Sequence, residues 1–466
     1  MRRLLDSAGT PGHRRRLPSL AGPPSSAGGG RWRERRVALG AVVLGLTGAL
    51  AFPGTAAAHG IGSRADLPIP AWLFVWTASA VLVVSFVTLG ALWKTPQLQG
   101  MHPKAFPAWA SRALTGRPLE VLLGAASVFL LGVVLWSGFA GRQSATNNVS
   151  PTFVYITFWL GLVPASAILG NVYSAVNPWR SIGRAVGWTV RPLLGKQPDA
   201  VPYPEWLGIV PAAAGLFGFA WLENVAVDGQ LPRNVAAAAL VYTCFTLIGM
   251  AVFGVERWTR RGEAFAVYFG LIARIAPFGR RGDEIVLRRP LSGLADLKPR
   301  PGTILLLSVM IGTVSFDGFA EGPVWVEIAP RLEDALDGAL GATGARLLAD
   351  SLGIVALVAV IYAFFRLGAL TVRATAQGLR RVRRRVPKFA VLFVHSLVPI
   401  AVAYVGAHFI SLFLLEGQGI ASLVSDPLGR GWDLFGSRGS GINFGLITAT
   451  NIWYLQVARV VAGHVS

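Results

Sequence analysis

Residues 71–93 run for 23 positions without a charged side chain, and stretches nearly as apolar recur down the whole chain. Such a stretch cannot be a surface element of a water-soluble domain. About 20 residues at ~1.5 Å each match the ~30 Å hydrocarbon core of a bilayer. Every backbone amide and carbonyl there must be bonded within its own segment, so each stretch is expected to be an α-helix. Spans are expected at residues 71–93, 119–140, 151–169, 206–222, 235–255, 303–319, 351–372 and 389–415, with a weaker ninth at about 444–461. Pro164, Pro211 and Pro399 interrupt three of them, but not at positions that would mark an internal repeat.

The loops set the orientation. They alternate between strongly basic and neutral-to-acidic, with 25 Lys and Arg on one side and seven on the other. The run Arg380-Arg381-Val382-Arg383-Arg384-Arg385 is the most basic. Residues 317–350 are its mirror, where Asp317, Glu321, Glu327, Glu333, Asp334, Asp337 and Asp350 outnumber Arg331 and Arg346. Basic loops stay on the cytoplasmic side, so the mature chain is expected to start outside and end inside. Charged residues are only 14% of the chain, against ~25% in soluble proteins. The net charge of +20 sits in short juxtamembrane loops and the N-terminal tail. Topology and anionic headgroups account for it, and nucleic acid is not an expected partner. The lone cysteine, Cys244, excludes an internal disulfide and a cysteine-based zinc site.

Residues 1–30, a Pro/Gly/Ser/Arg mixture, are expected to be disordered. Residues 31–58 have the pattern of a signal peptide or signal anchor. Arg31 to Arg36 form a basic region, residues 37–52 an apolar core, and Ala56-Ala57-Ala58 a small-residue cleavage stretch. Cleavage after Ala58 would leave His59 as the first residue. The remainder, 59–466, is expected to be one all-α, polytopic domain of about nine spans in the plasma (inner) membrane, with the lipid bilayer as its partner. Within the largest basic loop, residues 264–278 are apolar but too short to cross, and suit an interfacial or re-entrant helix. Residues 181–194 suit the same description.

There is no GxGxxG after a strand, no Walker A sequence, no His-Glu-x-x-His and no GxSxG. Chemistry is therefore sought among polar groups at membrane depth, which are costly there. Asp317 stands near the outer end of its span, followed by Gly318. His395 and His408 share one span, ~20 Å and roughly 220° apart on a helix, so they cannot ligate one metal. His408 falls at the depth of Asp317, and His395 at that of Arg366, which can snorkel to the cytoplasmic interface. The densest polar run is Gly170-Asn171-Val172-Tyr173-Ser174-Ala175-Val176-Asn177-Pro178-Trp179-Arg180, where Asn171, Asn177 and Arg180 either turn the chain at a helix end or line a cavity. Asp317, His408, Asp426 and His59 are a candidate divalent-metal set, with Asp317 and His408 the candidate catalytic pair; oxygen and imidazole donors suit zinc or manganese. An N-terminal His59 alone would chelate copper.

The stretch Ala58-His59-Gly60-Ile61-Gly62-Ser63-Arg64-Ala65-Asp66-Leu67-Pro68-Ile69-Pro70-Ala71-Trp72-Leu73-Phe74, with Asn177-Pro178-Trp179-Arg180 and the histidine-containing close of the chain, resembles actinobacterial membrane proteins catalogued as fenitrothion hydrolases. The resemblance extends over 59–466. It implies a membrane-bound esterase that splits a phenol from an organophosphorus triester, a hydrophobic substrate that partitions into the bilayer. A bound metal would activate water and polarise the phosphoryl oxygen. The resemblance carries no residue roles. Three other readings stand beside it: a small-molecule or ion transporter, a copper-related accessory protein, and a ligand-free scaffold whose many glycines serve helix packing.

Overall fold

The computed structural model describes residues 103–194, 200–376 and 393–465, with single positions 76, 79 and 83. The expected disordered tail, the signal segment and His59 lie outside the described residues. So does most of the span expected at 71–93, helical at its three described positions.

What is described is mostly helical. A short strand β1 (Lys104–Ala105) and helix α1 (Ala108–Thr115) lead into α2 (Arg117–Ala140). Helix α3 (Val149–Leu169) follows, then α4 (Pro178–Leu194), α5 (Val210–Asn224), α6 (Pro232–Phe253) and the short α7 (Val255–Thr259). The nine-residue α8 (Ala264–Ile272) precedes a hairpin of β2 (Phe278–Arg281) and β3 (Glu284–Leu287). The chain continues as α9 (Thr303–Ala320), the long α10 (Pro323–Ala376), α11 (Val394–His408), α12 (Ile410–Ser425) and α13 (Ala449–Val465). Strand β3 lies between β1 and β2, antiparallel to both, with Leu287 opposite Lys104 on one side and Phe278 on the other.

Among the described residues six helices are long and apolar enough to cross a membrane, and a seventh if α11 and α12, bent by 58° at their junction, form one span. The weak ninth segment is the helix α13, 17 residues long. The fourth expected span differs in detail. Pro211 is not inside a helix but in the first turn of α5, where its missing N–H costs nothing, and Glu205–Leu207 form a separate 3₁₀ turn. In α3, residues Thr152–Leu160 widen into a π-helix. That stretch ends at the residue four before Pro164, whose ring would clash with the carbonyl there. Helix α10 is broken at Gly341, at φ +70°.

Burial sorts the helices. Only 11% of the most apolar window of α2 is buried, against 61% for α9. Val121, Leu122 and Phe129 of α2, Val241 and Ile248 of α6, and Val360 and Phe364 of α10 point outward, as lipid-facing side chains must. Helix α9 is the axis, packed by α5, α10 and α11. At its crossing with α10 a Cβ on Gly312 would fall 2.7 Å from the Cα of Val358, so only glycine admits this approach.

The segment expected to be interfacial or re-entrant is α8, and it is interior. Ala264, Phe265, Tyr268, Phe269, Leu271 and Ile272 are all buried, against α3, α5 and α11. By contrast α4 is amphipathic, with Val186 and Trp188 exposed.

Candidate functional site

Among the described residues, two interior clusters built on acids join helices to one another. The first joins α9 to α11. Asp317, in the last turn of α9, and His408, the last residue of α11, meet with Nε2 2.7 Å from Oδ2. Their side chains are 15% and 13% exposed, enough for water to reach them but not to solvate them. Gly318 eases the approach, since a Cβ there would sit 3.3 Å from His408 Cε1 and press on the ring. Phe409 packs edge-on to the imidazole, ring centres 4.6 Å apart.

The helix breaks directly after His408. Phe409 leaves helical geometry and α12 departs at 58°. The Gly406 carbonyl, which would have bonded Ile410 in an unbroken helix, instead accepts Arg459 Nη1 of α13 at 2.7 Å.

Glu223 extends this cluster from the last turn of α5. Its Oε2 is sealed from solvent without a hydrogen-bond partner among the described residues. It lies within electrostatic reach of Asp317, and of Tyr155 and Tyr268. Tyr155 is already committed, donating to the Gly229 carbonyl at 2.9 Å. A lone buried carboxylate oxygen is costly and invites a proton, a water or a ligand.

The second cluster is built around Glu263, completely buried at the N-cap of α8. Its Oε1 accepts from Tyr242 Oη at 2.6 Å and Phe265 N at 3.0 Å. Its Oε2 accepts from Asn177 Nδ2 at 2.9 Å and Ala266 N at 2.8 Å. The carboxylate thus satisfies the first amides of α8 and ties that helix to α4 and α6. Arg180 bonds Glu256 through Nε and Nη2, both at 3.2 Å, and Glu120 at 3.1 Å; Arg184 adds a 2.6 Å contact to Glu256. Burial pushes the Glu256 carboxyl up, but hydrogen bonds and charges from Arg180 and Arg184 outweigh it and hold the group below the usual range.

Against these positions the sequence-derived candidates divide. Asp317 and His408 are brought together. Asp426 is not, because its oxygens accept from the Arg430 and Gly431 amides at 2.9 and 2.6 Å and face Arg438, which makes it an anchor of its own loop. His59 lies outside the described residues. Among the described residues no three His, Cys, Asp or Glu side chains are arranged to hold a metal, so of the expected ligand set the described part supplies two donors. Asn171 caps the turn Val172–Ser174, accepting from Ser174 N at 3.2 Å. Asn177 accepts from Arg180 N at 2.9 Å at the start of α4, and Arg180 itself bonds Glu256 and Glu120. His395 is exposed near the start of α11, and Arg366 is exposed on α10.

Glu223 and Glu263 escaped the sequence reading. Glu223 falls one residue past the apolar run that defined its span. Glu263 was counted with a basic loop, although it immediately precedes the apolar segment 264–278, which is where an N-cap acid belongs.

The chain matches no protein-family model, no curated protein and no solved structure.

Proposed function

We propose that this multi-pass membrane protein is a proton-coupled transporter of a small molecule or ion, with Asp317 and His408 as its coupling pair. The observation that carries the reading is a hydrogen-bonded carboxylate and imidazole placed at the break of a discontinuous helix. Intramembrane acid–histidine pairs serve as proton relays, and transport sites are often formed at discontinuous helices.

The pair works as a charge switch. With His408 neutral, one nitrogen bonds Asp317 and the other is free to accept a proton. Proton uptake takes the pair from net −1 to net 0. The change in charge alters the attraction between α9 and α11 at the hinge, where Phe409 can absorb a backbone rotation.

The test is proton flux into proteoliposomes carrying a pH-sensitive dye under an imposed potassium diffusion potential. Wild-type protein should admit protons faster than empty vesicles, and Asp317→Asn and His408→Gln should abolish the difference. Flux in both folded variants equal to wild type would overturn the reading.

The second reading is the hydrolase. It is favoured by the same geometry, since an aspartate-oriented imidazole is a general base for water, and by the resemblance to fenitrothion hydrolases. A phosphotriester assay on the purified protein, with and without chelator, separates the two: turnover lost in Asp317→Asn supports hydrolysis.

A further inference from the structure

A groove of about 1110 Å³ runs between α5, α9, α10 and the start of α11, away from the Asp317–His408 pair. Its wall is apolar along Phe217, Val309 and Val358, and it also holds Tyr362, Arg300 and Arg366. Arg366 has no hydrogen-bond or ion-pair partner among the described residues. Among the described residues the Arg300 guanidinium bonds only the Arg260 carbonyl, at 3.1 Å. Around Arg300 stand the charges of Arg260, Arg261 and Arg274, faced by Glu205 and, on the Arg274 side, by Asp296.

These observations constrain the occupant. Two open guanidiniums in an unbalanced positive field select an anion, and a phosphate satisfies them best, since the planar guanidinium fork matches its oxygens. A free phosphate would have no use for the apolar wall. A ligand with an anionic head and a long apolar body uses both parts, and in a chain with outward-facing aliphatic helices the surrounding bilayer supplies it. We propose that the groove binds an anionic phospholipid, its phosphate held by Arg300 and Arg366 and its acyl chains along Phe217, Val309 and Val358. The site is independent of the transport reading, since none of its residues belongs to the Asp317–His408 cluster.

The experiment is native mass spectrometry of the detergent-purified full chain titrated with phosphatidylglycerol or chain-matched phosphatidylcholine. Wild-type protein should bind phosphatidylglycerol preferentially. Arg300→Ala and Arg366→Ala should each lose about fivefold in its affinity, about 1 kcal/mol per basic residue. Ala359 is an exposed residue on the groove wall, and Ala359→Trp should reduce binding while leaving both arginines in place. Equal binding of the two lipids would overturn the proposal, as would undiminished preference in the arginine variants. Full preference in Ala359→Trp would show that the groove is not used. Displacement by glycerol 3-phosphate at the same concentration as the lipid would make a soluble phosphate the ligand, and overturn it too.

Discussion

At the residue scale two of the interior acids, Glu263 and Glu223, face opposite situations. Glu263 has four donors for two oxygens; the Glu223 Oε2 has none among the described residues. Replacing Glu263 by Gln keeps the shape but turns an acceptor into a donor that faces other donors. The expected cost is about 1–3 kcal/mol, read as a lower thermal midpoint of the purified protein; an unchanged midpoint would remove Glu263 as the clamp of α8. At Glu256 the prediction concerns pH. Its carboxyl is held low in the folded state, so its stabilisation is complete above the unfolded value of ~4.3 and is lost as pH falls through the lower folded value. Both Glu256 and Arg184 are about two-fifths exposed, and screening reduces the effect to ~0.5 kcal/mol. Glu256→Gln should therefore lower the midpoint at pH 7 and make progressively less difference below pH ~4, in a melting series across pH. The sequence placed Asp317 and His408 at one depth, because helical rise is regular and spans register against the bilayer. It could not show Glu263 as a clamp, because Tyr242 and Asn177 lie 21 and 86 residues away.

At the scale of elements, what could be read was whatever depended on local composition. Apolar length located the helices long and apolar enough to cross, six or seven of the nine expected, and amphipathic patterning located α4. What could not be read were the breaks. Pro211 looked like an interruption because a proline opens a helix as readily as it disrupts one, and only the preceding 3₁₀ turn settles which. The bend after His408 carries no proline at the junction; Gly406, two residues earlier, leaves room for Arg459 of α13, which takes its carbonyl, and a Cβ there would lie 3.2 Å from Arg459 Nη1. Helix contact is testable at Gly312. Gly312→Val would force α9 and α10 apart and is expected to cost about 1–3 kcal/mol, seen as a lower midpoint, whereas the same change at Gly338, where a Cβ meets nothing, should not show that crossing penalty.

For the whole molecule, the loop charges predict that the β2–β3 hairpin faces the cytoplasm and the 426–443 loop the exterior. In a background with Cys244 replaced by Ala, Ser437→Cys should react with a membrane-impermeant thiol reagent on intact cells, and Asp283→Cys only after permeabilisation; the reverse pattern would invert the orientation. The structure also bears on how the chain enters the bilayer. Helix α8 has nine residues, about 14 Å of rise against a ~30 Å core, and is too short to insert alone. Its first amides are satisfied by Glu263, and beyond its last turn Arg288 bonds the Ala273 and Ala276 carbonyls at 2.8 and 3.0 Å. One of its packing partners, α11, is made more than a hundred residues later. In the orientation predicted from the loop charges, residues 264–272 are expected to wait at the ribosome-facing surface while later helices are delivered, and a nascent chain halted after Ala320 should leave them open to protease, whereas one completed through α11 should not.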